Sequence, residues 1–116
     1  MAAILRALAI ARYLCYYITM IQSFRDDGTE DVFNGVHSRA ARQTCPERLW
    51  KTAARKLDLL DSVTVLQELK VPPGNRLEPL GGDRKGQHSI RINDQYRICF
   101  VWTEAGPEQV EIVDYH

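Results

Sequence analysis

The last third of the chain constrains the fold most. Residues 76–80, 87–92, 96–103 and 109–115 each read as strands. Between them lie Gly81-Gly82-Asp83-Arg84-Lys85-Gly86, then Asn93-Asp94-Gln95, then Glu104-Ala105-Gly106-Pro107, all rich in turn residues. Connections this short join antiparallel neighbours, because a parallel crossover needs about a dozen residues. Alternation then assigns the two faces. His88, Ile90 and Ile92 share one side of their strand, and Ser89 and Arg91 the other. Tyr96, Ile98, Phe100 and Trp102 alternate with Arg97, Cys99 and Val101 in the next. This pattern places Arg91 and Arg97 on the face away from any helices.

The preceding segment reads differently. Residues 20–24 are short, apolar-alternating and suited to a strand. Asp27 with Glu30 three residues later resembles a capping box, and Val32, Phe33 and Val36 form one short apolar face, so a helix is expected over 28–36. Residues 37–44 are polar and basic and read as a loop. Thr44-Cys45-Pro46-Glu47 is a stronger start signal. Leu49, Ala53, Leu57 and Leu60 recur after it at helical spacing. Asp61-Ser62 interrupts that helix, Val63, Leu66 and Leu69 suggest a second short segment, and Val71-Pro72-Pro73-Gly74 ends all helix. The predicted class is α+β: two to three helices packed on one face of a mostly antiparallel sheet.

Length and composition narrow the functional classes. The chain has 116 residues, enough for one domain with a single core. Hydrophobic residues are 45% and charged residues 26%, which excludes a disordered chain, a collagen-like repeat or a coiled-coil rod. Basic and acidic residues number 15 each, so nucleic-acid binding would need a local patch. Cys15, Cys45 and Cys99 have no C-x-x-C spacing, and His37, His88 and His116 have no metal-ligand spacing. A reducing, cytoplasmic setting with neither metal nor cofactor is the expectation.

Residues 1–19 stand apart. They carry Arg6 and Arg12 and no acid, which leaves the remainder with a net charge of −2. The apolar run from Tyr13 to Ile21 is interrupted upstream by Arg12 and is too short to cross a bilayer. No small-residue cleavage motif follows it. Two readings stay open: translation starting at Met20, or a loosely docked or disordered helical arm. The expected division is an extension over 1–19 and a domain over 20–116.

No phosphate-binding loop or nucleophile elbow occurs. What remains is a late concentration of Arg76, Arg84, Lys85, His88, Arg91, Arg97, Tyr115 and His116, interleaved with acids. Such a set is either a solvated sheet surface or a site for cutting RNA without metal. RNA supplies its own nucleophile, the 2′-hydroxyl. Arginine matches phosphate oxygens and keeps its charge. His or Asp can move protons near neutral pH, and Tyr can stack on a base. Asp114-Tyr115-His116 gathers these types at the end of the last strand, or is merely its frayed terminus.

Met20-Ile-Gln-Ser-Phe24, the long run G-D-R-x-G-x-x-S-I-R-x-N-x-x-x-R-x-x-F from Gly82 to Phe100, and the terminal Asp114-Tyr115-His116 closely resemble the HigB toxins, the plasmid maintenance killer branch of the RelE-like toxins. The resemblance covers about five-sixths of the chain, from Met20 onward. It implies a type II toxin of the toxin–antitoxin class that acts as a ribosome-dependent mRNA endoribonuclease. It also implies a HigA-type helix-turn-helix antitoxin, with operator DNA bound only through that complex. Arg97, Asp114, Tyr115 and His116 take the positions of the family's catalytic residues. Arg76, Arg84, Lys85, His88 and Arg91 are the candidate RNA-binding residues. Two departures matter: Glu78 stands where several relatives have His, and Gly81 where some have Lys. Arg84, Lys85 and His88 are the nearest substitutes. These departures keep open a non-cleaving module that binds the ribosome or the antitoxin. A membrane-active toxin using residues 1–19 is a third reading. Arg48, Lys51 and Arg55 on the main helix could receive an acidic antitoxin segment.

Overall fold

The computed structural model describes residues 19–115. Residues 1–18, which make up nearly all of the expected extension, and His116 lie outside them. Three helices come first: α1 (Asp27–Asn34), α2 (Arg39–Thr44) and α3 (Trp50–Ser62). Four strands follow: β1 (Glu78–Pro79), β2 (His88–Arg91), β3 (Tyr96–Thr103) and β4 (Gly106–Asp114). They form one antiparallel sheet in the order β1-β2-β3-β4. The predicted α+β architecture and antiparallel pairing are therefore both present.

Several details differ, each for a local reason. Asp26, one residue before the expected cap, caps α1 by accepting from the Thr29 amide at 2.7 Å. Gly35 ends α1 in the left-handed region at φ 73°, where glycine meets no Cβ penalty. The polar stretch 37–44, read as a loop, contains α2 instead. Ser38 caps it by accepting from the Ala41 amide at 3.0 Å, and Ala41 is fully buried. One cap and one buried alanine suffice for a helix too short to show periodicity. Thr44 does not cap the next helix; its hydroxyl donates to the Ala40 carbonyl at 2.9 Å. That next helix opens with a 3-10 turn at Glu47–Leu49 before α3 begins at Trp50.

The expected strand over 20–24 is reduced to a single parallel bridge, Phe24 to Val110. Its backbone still tracks the outer edge of β4, with Gln22 N–H donating to Pro107 O at 2.8 Å and Arg25 N–H to Val110 O at 2.9 Å. The segment thus covers an edge that would otherwise expose unpaired donors. The expected strand over 76–80 shrinks to the two residues of β1, because Arg76 turns through φ 47° just before it. The Gly81–Gly86 connection holds a 3-10 turn, Gly82–Arg84, rather than a plain hairpin turn.

One core joins the layers. Val32 of α1 and Ala53, Leu57 and Leu60 of α3 pack on Ile90, Ile98, Phe100, Val110 and Ile112 of the sheet. Leu57, Leu60, Ile90, Ile98, Phe100 and Val110 are each fully buried. Each such side chain contributes roughly 1.5–3 kcal/mol on transfer from water. A register shift between Cys99 and Val101, with Gln109 at φ 52°, bends β4 around this core. Because the helices occupy one face, the other is left for chemistry.

Candidate active site

The pairing register fixes what the open face presents. Ser89 lies opposite Cys99, and Arg91 opposite Arg97; Arg97 in turn pairs with Val113, and Cys99 with Glu111. Ile90, Ile98 and Ile112 are mutual partners on the helix side. Ser89, Arg91, Arg97, Cys99, Glu111 and Val113 therefore point away from the core.

Arg97 is the organising group. Its side chain is only 11% exposed. Nε donates to the Ser89 hydroxyl at 2.8 Å, and Nη2 donates to the Arg76 carbonyl at 2.6 Å. The Glu78 carboxylate stands 3.7 Å from Nη2. The Tyr115 ring lies with its centroid 5.6 Å from the guanidinium carbon. Three elements thus hold one planar cation: β2 through Ser89, the turn before β1 through Arg76, and the end of β4 through Tyr115. Nη1 has no hydrogen-bond partner among the described residues, so one face of the fork is available to an anion.

Arg84 is the second cation. The 3-10 turn that carries it folds over the sheet, and Nη1 donates to Glu111 at 2.7 Å and to Gln87 at 3.1 Å. The hydrogen bond to Glu111 raises its affinity for the proton further. Arg25 stands 3.9 Å from the same carboxylate. Cys99 is buried under this group, and burial pushes its thiol pKa up, so it stays protonated at neutral pH.

The other expected site residues separate. Tyr115 joins Arg97, whereas Asp114 falls on the opposite side of the alternation and accepts from the Gln95 amide group at 3.0 Å. Lys85 is exposed beside the turn. Arg76 is exposed and contributes its carbonyl. Arg91 pairs with Asp94. His88 sits on the helix-facing side, its ring 6.3 Å from that of Phe100, and its Nδ1 is buried without a partner. It is thus remote from the open face that Arg97 shares with Ser89. Sequence reasoning passed over Ser89 and Glu111. Once Arg97 is chosen, strand alternation is enough to propose Ser89. Glu111 requires knowing the fold of the Arg84 turn. Among the described residues no group of three His, Cys, Asp or Glu is placed to hold a metal ion, and no helix is long and apolar enough to cross a membrane.

Residues 22–116 match the family described as RelE-like toxin of type II toxin-antitoxin system HigB. The chain is 44% identical over 60 residues to Toxin HigB-1 of Vibrio cholerae serotype O1, an alignment covering 52% of this chain and 63% of that toxin. It is 35% identical over 81 residues to an uncharacterised protein of Haemophilus influenzae, covering 68% of this chain and 75% of that protein. Among solved structures, it aligns with the YoeB-YefM complex from Staphylococcus aureus at a TM-score of 0.47 and 15% identity, over 84% of this chain and 97% of that one. With the family match running from the edge-covering segment through the arginine-bearing face of the sheet to the last residue, the chain belongs to the HigB family of RelE-like toxins of type II toxin–antitoxin systems.

Proposed function

We propose that this toxin is an endoribonuclease that cuts mRNA on the ribosome by attack of the 2′-hydroxyl on the adjacent phosphate. The observation that carries the reading is Arg97. It is a nearly buried guanidinium held by Ser89 and the Arg76 carbonyl, with one donor nitrogen left over. A cation fixed in this way stabilises the dianionic phosphorane without reorganising as charge develops. Arg84 adds positive charge nearby, although Glu111 neutralises part of it.

Proton transfer needs a base near the 2′-hydroxyl and an acid near the leaving 5′-oxygen. Glu78 holds its carboxylate 3.7 Å from Arg97, and it is about half exposed. We assign it the role of base, at the position where the resemblance has histidine in several relatives. Tyr115, stacked on Arg97, orients the base or ribose beside the scissile phosphate. His116 is assigned the acid by the family resemblance. Asp114 is directed toward Gln95, so its role is to hold the end of β4 rather than to touch RNA.

The partner reading follows from membership in a toxin–antitoxin family. We propose a helix-turn-helix antitoxin of the HigA type, with operator DNA engaged only through the complex. The test of the activity is ribosome-dependent cleavage of mRNA by the wild-type chain and by Arg97→Ala. Cleavage retained by that variant would reject the assignment.

A further inference from the structure

β1 is only two residues long and pairs with His88 and Ser89 alone. Beyond Ser89, among the described residues, the outer edge of β2 has no strand beside it. A cleft of about 530 Å³ occupies that gap. Arg55, Lys56 and Leu59 of α3, Pro72 and Gly74 of the following loop, and Arg91 of β2 line it. Leu59 follows Lys56 by three residues and Arg55 by four, so it neighbours both on the helix surface. Three of the eight lining residues are cationic, and among the described residues no Asp or Glu lines the cleft.

The cleft is built rather than incidental. Lys56 donates to the side-chain oxygen of Asn75. Asn75 is fully buried, and its amide donates to the carbonyls of Leu69 at 3.2 Å and Val71 at 3.1 Å. The ammonium is thus pinned to the loop that forms the opposite wall. Burial, then Arg55, then Arg91 all lower the Lys56 pKa, as cations brought close together do. Arg91 has an ion-pair partner in Asp94, but that carboxylate is 94% exposed and stands in water, where such a pair is weak. The cleft also adjoins the site described above. Arg91 is the register partner of Arg97, and Asn75 immediately precedes the Arg76 whose carbonyl holds Arg97.

We propose that the cleft between α3 and the 72–76 loop seats a second backbone phosphate of the same RNA strand whose scissile phosphate meets Arg97. This rests on the ribonuclease reading. A strand entering here would pass round the open edge of β2, with Arg55, Lys56 and Arg91 taking the phosphate and Pro72 and Leu59 offering an apolar wall to a ribose or base. The short β1 thereby serves the site, since a longer strand would close the entrance.

The probe is a fluorescein-labelled hexanucleotide of RNA bearing 2′-O-methyl groups, which cannot be cut by the proposed chemistry. Its binding is measured across a salt series for the wild type, Arg55→Gln/Arg91→Gln, Arg55→Gln alone, and Arg48→Gln/Lys51→Gln as the off-cleft comparison. Each single-strand phosphate contact contributes about 0.7 to the slope of log K against log salt. The double cleft variant should lose about 1.4 from that slope and the single about 0.7, with the off-cleft variant unchanged. If the double variant does not fold, the exposed Arg55→Gln decides alone. A slope unchanged in the cleft variants overturns the inference, as does weakened antitoxin binding with RNA binding intact. Wild-type mRNA cleavage on ribosomes is measured in parallel. A chain that fails to cut while the cleft variants still lose slope ends the nuclease reading and leaves the phosphate site standing.

Discussion

At Arg97 two demands meet in one side chain. Its hydrogen bonds to Ser89 and to the Arg76 carbonyl are structural, and its remaining donor is free for chemistry. Arg97→Ala should therefore lower cleavage by about 10²-fold or more, the scale of losing one preorganised charge stabiliser. It should also lower stability by about 1–3 kcal/mol, because Ser89 is fully buried and loses its partner. That leaves a folded chain in a thermal melt. Lysine at the position should restore only part of the activity, since it lacks the two-pronged fork. Glu78→Gln should reduce cleavage by roughly 10²–10⁴-fold. Cleavage unchanged in this variant would take Glu78 out of proton transfer. The same measurement on a chain lacking His116 tests the acid. The face that Arg97 occupies was legible in the alternation of its strand, whereas its role was implied only by the family resemblance. Ser89 was legible only once Arg97 was chosen, and the same alternation separates Asp114 from Tyr115 once the terminal triplet is no longer taken as one unit.

Among the elements, α1 and α2 meet most tightly at Gly28. A Cβ there would lie 1.8 Å from the Thr44 hydroxyl and 2.5 Å from the Ala40 carbonyl. Gly28→Ala should force the two helices apart and lower stability by about 1–3 kcal/mol, read as a shift in the urea midpoint. Cys45 closes α2 and is 2% exposed. Burial pushes its thiol from 9.0 up to about 11. The folded chain thus keeps a proton that the unfolded chain releases above pH 9. The stabilisation is intact below that pH and fades as pH rises toward 11, by about 2–3 kcal/mol in all. Cys45→Ala should flatten this loss in denaturant titrations at pH 8, 9.5 and 11. An equally steep loss in the variant would place the alkaline sensitivity elsewhere. The helix over 28–36 was visible in its acidic start and apolar face, although Asp26 and not Asp27 caps it. α2 was not, because a six-residue helix offers one buried alanine and no period to read.

For the whole molecule, residues 1–19 are proposed to lie outside the working domain, with Thr19 as the point of attachment. Its hydroxyl donates to the Val63 carbonyl and the residue is 6% exposed. A chain begun at Met20 should fold, cleave as before and lose only about 1 kcal/mol, the net worth of one hydrogen bond. Loss of cooperative unfolding would show that the extension belongs to the core. Co-expression with the proposed HigA-type antitoxin should abolish toxicity and yield a complex that survives high salt. The sequence by itself determined the α+β class, the antiparallel order of the strands, the core side of the sheet and the place of Arg97, because alternation, turn residues and helical spacing are local properties of the chain. Only the tertiary structure decided that Glu78 and Ser89 surround Arg97, that Arg84 is tied to Glu111, that His88 faces Phe100, and that β1 stops early enough to open a basic cleft. Those arrangements depend on how a turn folds over a sheet and where a strand ends. Contacts between residues distant in the chain set both, and no local pattern records them.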